Sequence, residues 1–347
     1  MPVLKHKFGN ITLAKLRDAH ELKQLLDDPW LESDNIVIKP NFVATDLGYA
    51  TDSEALRVLL EAIDSRIVVT ESHMVPRSMN LIEGGMSFIV EGEEVNWLWL
   101  MGGEGWRWQI DNPDWGWFRT GGHWGQIKKE EKAFLDQYGF TDLFAEFNVE
   151  YVNVTDEVWS GRIADPNEVK GAVESSFEPV FTEKLYSMVP KKLYDLRGST
   201  LISFAKMQDY NSFTMKNLFG LIPDPVRAWW HGPNHSQIAG SIIDINKVYR
   251  SLFKVYGICE TLYTNPVPHP EGKLVNVLGT RYNVAERLGV VAFGRDPVTL
   301  DAIFCNLAGL DINQFGGYIS KAEDVLGAYD REAVEDAKRK VGSWLSS

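Results

Sequence analysis

Residues 35–72, "NIVIKPNFVATDLGYATDSEALRVLLEAIDSRIVVTES", contain the pattern of a strand, a helix and a second strand. The runs "NIVIK" and "RIVVT" are short and apolar, which is typical of strands buried on both faces. Between them, residues 51–64 repeat leucine and isoleucine with helical spacing, and Thr51 with Glu54 predicts a capping box at the start of this helix. A strand, a helix and a strand in so short a stretch predict a parallel βαβ unit.

Further along the chain, similar apolar runs alternate with amphipathic segments, which predicts an α/β fold with a largely parallel central sheet and flanking helices. Residues 74–126 interrupt this pattern, because they are rich in glycine and tryptophan and have no helical period. We therefore expect residues 1–73 and 127–347 to form one α/β core domain, with 74–126 as a Trp/Gly-rich β insertion. A helix is also predicted over residues 12–28, where leucines recur near helical spacing before Pro29.

Composition excludes several classes of function. The chain has 347 residues and a formal net charge of −13, with no basic stripe, so a nucleic-acid partner is not expected. Two cysteines are fewer than the four that a typical iron–sulfur cluster needs, so no such cluster is expected in this chain. We find neither a signal-peptide pattern nor an apolar run of about 18 residues, and therefore expect a cytoplasmic protein without a membrane partner.

Polar residues follow several of the predicted strands. Lys39 and Asn41 follow the first strand, Glu71 follows the second, and Lys206 follows a later one. If these strands are parallel neighbours, their side chains converge at one edge of the sheet, where ligands bind in open α/β folds. Lysine and asparagine there would bind an anionic substrate, and Glu71 would act as an acid or base. The alternative is that these strands simply end in polar loops. Two more runs end in polar residues, namely Glu260 and Arg295–Asp296, of which Asp296 is also the expected cap of the next helix.

The segment "SFTMKNLFGLIPD" places Lys216 and Asn217 between apolar residues. A buried lysine without a partner is costly, so Lys216 should face either a structural carboxylate or an anionic ligand. Lys216 is therefore a candidate catalytic residue and Asn217 a candidate substrate-binding residue.

The segment "WWHGPNH" places His231 and His235 four residues apart. Gly232 and Pro233 make a helix unfavourable here, but a loop can still bring two imidazoles together as ligands of a divalent metal. His235 is also a candidate catalytic residue. The alternative is that both histidines make ordinary hydrogen bonds. The chain lacks the sequence motifs of Rossmann dinucleotide sites, P-loops, serine hydrolases and zincins.

Tryptophans are concentrated in residues 97–125, often as Trp-x-Trp pairs separated by turn residues. Each pair places two rings on one face of a strand, so we expect three short strands in a meander and a fourth element at Trp124. This segment would serve as a subunit interface in a homo-oligomer, as a lid in which Trp106 and Trp115 contact the substrate, or as an aromatic cage.

Four segments together resemble the domain-of-unknown-function 362 family: "NIVIKPNFV", "KNLFGLIP", the histidine-containing stretch before "SIIDIN", and "LGVVAFGRDPVTLDAIFCNLAGLD". The resemblance covers roughly residues 35–72 and 127–328. It implies an α/β fold, whereas the reaction of the family is largely unassigned. The matching positions are Lys39, Pro40, Asn41, Glu71, Lys206, Lys216, Asn217, Gly220, His231 or His235, Asp296 and Asp301.

The chain departs from the family pattern at three places. Gln208 stands where members often have histidine, Tyr256 stands where they often have aspartate, and "CETLYTNP" replaces a glycine-rich loop. These departures imply a divergent substrate or a changed reaction. Some family members carry ferredoxin-like cysteine clusters, which suggests a redox role, but this chain would then need an external electron carrier.

The leading hypothesis is an enzyme that acts on a small anionic substrate. In this hypothesis Lys39, Asn41, Lys206 and Asn217 bind the substrate, while Glu71, Lys216 and His235 are catalytic. The alternatives are a non-catalytic binding protein for an aromatic or hydrophobic ligand and a homo-oligomeric structural protein assembled through the tryptophan-rich segment.

Overall fold

The computed structural model describes residues 3–74, 77, 87–96, 99, 103–111, 124–224, 226–275 and 280–345. Its strands are β1 (Leu4–Phe8), β2 (Ile11–Lys15), β3 (Asn35–Lys39), β4 (Arg66–Glu71), β5 (Ser87–Val90), β6 (Glu93–Asn96), β7 (Glu150–Asn153), β8 (Thr200–Lys206), β9 (Lys254–Glu260), β10 (Thr264–Pro268), β11 (Leu274–Val275), β12 (Arg281–Glu286) and β13 (Val290–Gly294).

The α-helices are α1 (Ser53–Ala62), α2 (Gly103–Asp111), α3 (Trp124–Gln137), α4 (Phe140–Glu146), α5 (Val154–Trp159), α6 (Pro166–Glu174), α7 (Lys191–Tyr194), α8 (Thr214–Phe219), α9 (Arg227–His231), α10 (Ile238–Leu252), α11 (Pro297–Leu307), α12 (Gln314–Leu326) and α13 (Arg331–Val341). Short 3₁₀ helices cover Ala19–Gln24, Pro29–Glu32, Glu183–Met188, Pro233–His235 and Gly342–Leu345.

An eight-stranded sheet forms the centre of the fold, in the order β1-β2-β13-β9-β8-β3-β4-β7. Strands β9, β8, β3, β4 and β7 are parallel neighbours. The predicted α/β fold with a mainly parallel central sheet and flanking helices is therefore confirmed. Strand β3 shows why its sequence is apolar throughout: Val37 packs into the core on one face, while Ile36 and Ile38 pack into the core on the other.

Strands β1, β2 and β13 form an antiparallel extension of this sheet. Because β13 runs opposite to β9, the residues that follow it lie at the other edge of the sheet from Glu71. Arg295 accordingly pairs with Asp28, which precedes the parallel strands. Asp296 caps α11, as expected, by accepting hydrogen bonds from the backbone N–H groups of Val298 and Thr299 at 3.1 Å each.

Two local predictions are wrong. Residues 12–28 are not one helix, because Ile11–Lys15 forms strand β2 between two other strands and only Ala19–Gln24 is helical, as a 3₁₀ helix. Tertiary strand pairing here outweighs the leucine spacing. The capping box at Thr51 is not formed either. Its hydroxyl accepts a hydrogen bond from the backbone N–H of Asn41 at 2.9 Å, and α1 begins after Asp52.

Within residues 74–126, the structure describes a hairpin of β5 and β6, and helix α2. Trp106 lies in α2, so the strand expected around Trp106 is wrong. Trp115 lies outside the described residues. In the part of the chain that the structure describes, no helix is long and apolar enough to cross a membrane.

Helix α8 is attached to α11 through the buried carboxylate of Asp301. One oxygen of Asp301 accepts hydrogen bonds from the N–H of Thr214 at 2.8 Å and from its hydroxyl at 2.5 Å, and the other accepts from the N–H of Met215 at 2.9 Å. The first backbone donors of α8 are thereby satisfied without water. This contact sets the position of the helix that carries Lys216 and Asn217.

We expect Asp301→Ala to lower the free energy of unfolding by about 3 kcal/mol, because two buried backbone N–H groups lose their acceptor. Urea denaturation followed by circular dichroism measures this change. Asp324→Ala, at an exposed position on α12, is the control and should change the stability by less than about 0.5 kcal/mol. Equal stability of Asp301→Ala and the wild type would contradict the anchoring role.

Candidate functional site

Lys39 and Glu71 form a buried ion pair at the carboxyl ends of β3 and β4. The Nζ atom of Lys39 lies 2.7 Å from Oε2 of Glu71, and the two side chains are 2% and 1% exposed. The predicted convergence of strand-end residues is therefore present for this pair. Burial lowers the pKa of Lys39 to about 8, although the contact with Glu71 opposes this shift.

Asn217 completes this network from helix α8. Its Oδ1 atom accepts a hydrogen bond from Lys39 at 3.0 Å, and its Nδ2 atom donates to the Lys39 carbonyl at 2.9 Å. Lys39 also donates to the Pro40 carbonyl at 2.9 Å, which occupies its third donor. Glu71 in turn accepts from the N–H groups of Phe42 at 3.2 Å and Ser72 at 2.9 Å. These contacts support a structural role, and the predicted roles of Lys39, Glu71 and Asn217 in substrate binding and proton transfer stay predictions.

Gly220 follows α8 and lies directly against the Lys39–Glu71 pair. A Cβ atom at this position would lie 2.7 Å from Nζ of Lys39 and 3.0 Å from Oε1 of Glu71. The glycine therefore allows the backbone to approach the ion pair closely.

Lys206 is held in a second buried network at the ends of β8 and β9. Its Nζ atom contacts Asp52 and lies 3.5 Å from Oε1 of Glu260. Asp52 also accepts a hydrogen bond from the Thr264 hydroxyl at 2.6 Å. Asn41 is buried too, and its side-chain amide donates to the Tyr49 carbonyl at 3.5 Å. The predicted substrate-binding roles of Lys206 and Asn41 also stay predictions.

Lys216 lies in a different environment, although it precedes Asn217 in the chain. Its Nζ atom is 5.2 Å from the ring centroid of Tyr210 and 4.8 Å from that of Phe315. Among the described residues, no carboxylate lies within 4.0 Å of this atom. Burial is the main cause that lowers the pKa of Lys216, to about 7, and the charges of Arg227 and Lys39 add to this shift.

His231 and His235 face each other beside Lys216, with 3.1 Å between their Nδ1 atoms. Burial lowers the pKa of His231 well below its ordinary value, and the charges of Lys216 and His235 add to this effect. Burial and Lys216 also lower the pKa of His235. Both shifts favour the neutral imidazoles, in which one Nδ1 can donate a hydrogen bond to the other.

His231 ends helix α9 and His235 ends the 3₁₀ helix Pro233–His235, and the chain turns between them at Gly232. Gly232 has φ +72°, and a Cβ atom there would lie 2.9 Å from the backbone nitrogen of Gln237. Asn234 and His235 also have positive φ angles, of 50° and 60°. Such backbone strain in residues other than glycine is often found at functional sites.

Metal binding by His231 and His235 stays a prediction. Within the described ranges, no group of three or more His, Cys, Asp or Glu side chains is placed to hold a metal ion. Catalytic zinc sites usually use three protein ligands. The neighbouring Lys216 and Arg227 would also repel a cation.

Beside this cluster lies a surface cavity of about 640 Å³, which is lined by Asp209, Tyr210, Asn234, His235, Ser236, Thr280, Arg281, Gln314, Phe315 and Gly316. The rings of Tyr210 and Phe315 form one corner of it, with centroids 5.6 Å apart and an interplanar angle of 73°. Asp209 also lines the cavity and accepts a hydrogen bond from the Tyr49 hydroxyl at 2.5 Å. The arrangement places an amine that has no carboxylate partner among the described residues, and two imidazoles, next to the residues that line this cavity.

Sequence reasoning identified Lys216, His231 and His235 but missed Tyr210, Arg281 and Phe315. Phe315 could have been singled out from the sequence, because two glycines follow it and mark a turn. In the structure all three residues have positive φ angles. Tyr210 and Arg281 carry no local signal, since their proximity arises only from the tertiary fold.

The family model of the domain of unknown function DUF362 matches residues 111–306 of the chain. This match covers more than half of the chain, which therefore belongs to this family. No curated protein and no solved structure matches the chain. Lys216, His231 and His235 lie within the matched residues, whereas Lys39 and Glu71 lie before them.

We expect Glu71→Gln to lower the free energy of unfolding by about 3 kcal/mol, because the buried Lys39 ammonium loses its counter-ion. The double variant Lys39→Met/Glu71→Gln should recover part of this loss. Urea denaturation of the single and double variants measures the coupling between the two residues.

Glu146→Gln provides the matched control for this pair. Glu146 is exposed and paired with Arg57, so its substitution should cost less than about 1 kcal/mol. Additive losses in the Lys39–Glu71 cycle would contradict the coupling.

Proposed function

We propose that this protein is an enzyme that acts on a small anionic substrate and uses the Lys216 amine as its proton acceptor. The observation that carries this proposal is the placement of Lys216. Its amine lies between two aromatic rings and beside two imidazoles, without a carboxylate partner among the described residues.

The environment of Lys216 favours its neutral form. The faces of Tyr210 and Phe315 attract an ammonium group, but burial and the charges of Arg227 and Lys39 outweigh that attraction and lower the pKa to about 7. A general base works best when its pKa lies near the operating pH. By contrast, Glu71 already forms an ion pair and accepts two backbone hydrogen bonds.

His231 and His235 are positioned to carry the proton onward. His231 is half-buried and packs against Phe219, with ring centroids 4.9 Å apart, whereas His235 is exposed and lines the cavity. A hydrogen bond across the 3.1 Å between their Nδ1 atoms links the half-buried ring to the exposed one. This arrangement supports the predicted assisting role of His235.

Arg281 is the basic residue of the cavity lining and would bind an anion. Its guanidinium donates a hydrogen bond to the Gly272 carbonyl at 3.1 Å. A guanidinium has five N–H donors and binds carboxylate or phosphate groups well. Asp209, the acidic residue of the lining, accepts the hydrogen bond of Tyr49.

Other parts of the sequence-based hypothesis stay predictions. They are a redox reaction with an external electron carrier, a lid that includes Trp106 and Trp115, a homo-oligomer, and a cytoplasmic location. None of them is needed for proton transfer at Lys216.

The test is hydrogen exchange in heavy water with a panel of small carboxylates and phosphates that carry acidic C–H groups, followed by proton NMR. Lys216→Met should reduce the exchange of the accepted compound by at least about 100-fold. The wild-type rate should rise with pH through about 7, as the amine loses its proton. Lys184→Met, at an exposed lysine, is the matched control and should leave the rate unchanged.

Unchanged exchange in Lys216→Met would contradict the proposed function. A compound that binds in the cavity without any exchange would instead support the alternative of a non-catalytic binding protein. Tyr210 and Phe315 would then serve as the walls of its binding site.

The same substitution has an expected effect on stability. Since the pKa of Lys216 is lowered in the folded protein, its charge destabilises the fold fully below about pH 7, and this cost disappears above the ordinary lysine pKa of 10.5. We expect Lys216→Met to raise the free energy of unfolding by about 1–2 kcal/mol near pH 6. The gain should vanish near the ordinary lysine pKa. Denaturation of both proteins at the two pH values measures this difference, and a gain that does not depend on pH would contradict it.

A further inference from the structure

We propose that the Lys216 amine forms an imine with the carbonyl carbon of a small oxo carboxylate, a ketone or aldehyde that also bears a carboxylate group. This inference names the substrate class of the proposed enzyme and therefore rests on the proposed function. It adds a covalent step that proton transfer alone does not require.

Lys216 differs from the three buried lysines that pair with carboxylates. Lys39 lies against Glu71, Lys206 against Asp52 and Glu260, and Lys247 against Asp244 at 2.8 Å. Each of these lysines is engaged by a carboxylate, which leaves its amine without a free approach to a substrate. Lys216 instead faces two rings, so its nitrogen lone pair is available to attack a carbonyl carbon.

The rings of Tyr210 and Phe315 form an apolar corner of the cavity, which suits a flat imine. Both rings line the cavity, and the amine lies 5.2 Å and 4.8 Å from their centroids. A conjugated imine is flat and packs well against ring faces. An apolar wall also limits the access of water, which favours loss of water over hydrolysis.

The step balances without an oxidant or reductant. The amine nitrogen bonds to the carbonyl carbon, and the carbonyl oxygen leaves with both amine hydrogens as one water molecule. A group must take a proton from nitrogen and deliver one to the leaving oxygen. His231 and His235 are neutral and lie next to each other, and one of them opens to the cavity.

The carboxylate of the substrate would bind to Arg281. Arg281 lines the same cavity and offers a planar set of N–H donors, which is suited to a carboxylate. The amine would react with a carbonyl group and the guanidinium would bind a carboxylate. A substrate that carries both groups is an oxo carboxylate.

The experiment uses the full chain with pyruvate, acetoacetate or 2-oxoglutarate and sodium borohydride, which reduces an imine to a stable amine. The intact mass is then measured and the modified residue is mapped by peptide mass spectrometry. We expect one adduct per chain, on Lys216, whose mass is that of the acid less one oxygen atom. Lys216→Met should lose this adduct, and Lys184→Met should retain it.

Arg281→Gln provides a second test that leaves the amine in place. It should reduce labelling by an oxo carboxylate by at least about tenfold, yet leave labelling by acetone, which has no carboxylate, unchanged. Circular dichroism confirms that each variant is folded. Equal labelling by oxo carboxylates in Arg281→Gln and the wild type would overturn the assignment of the carboxylate site.

The trapping and exchange experiments can contradict the covalent step without contradicting the proposed function. Lys216-dependent hydrogen exchange without any borohydride-trapped adduct would overturn the imine and leave the proposed proton transfer intact. The absence of both would overturn both. Adducts spread over exposed lysines, with no preference for Lys216, would also overturn the imine.

Discussion

The rest of the candidate site depends on the buried ion pair between Lys39 and Glu71. It joins the ends of two parallel strands, and Asn217 extends it to helix α8. Breaking such a pair is costly, because each charge would remain buried without a partner. The pair and the Asp301 carboxylate therefore fix α8 from two sides, and a helix fixed in this way can hold a reactive side chain on its other face.

As a result, the adjacent residues Lys216 and Asn217 lie in two different environments. Asn217 hydrogen-bonds Lys39 of the ion pair, whereas Lys216 points to Tyr210 and Phe315. The chain has a net charge of −13, yet the surroundings of Lys216 contain Arg227, Lys39 and two neutral imidazoles. Local placement of the charges, rather than the total charge, thus determines the chemistry that the site supports.

A third buried network joins the two ends of the Trp/Gly-rich segment, residues 74–126. His73, just after β4, lies 3.4 Å from Glu130 and 3.2 Å from Glu131 on helix α3, and Arg77 pairs with Glu131 at 2.7 Å. Burial alone would lower the pKa of His73, but its hydrogen bonds to the two glutamates outweigh this effect and raise it. These contacts anchor both ends of the segment close to the strand end that carries Glu71.

The sequence by itself determined the βαβ unit, the buried central strands and the meeting of Lys39 with Glu71, because all of them follow from local periodicity and from the geometry of parallel strands. It also limited the expected partners of Lys216 to a structural carboxylate or an anionic ligand. Only the tertiary structure places the rings of Tyr210 and Phe315 against the Lys216 amine, because Phe315 comes from a distant part of the chain and the direction of the Tyr210 ring depends on the fold. The antiparallel pairing of β13 with β9 also followed only from the tertiary structure. An apolar run in the sequence does not indicate whether its neighbour in the sheet is parallel or antiparallel.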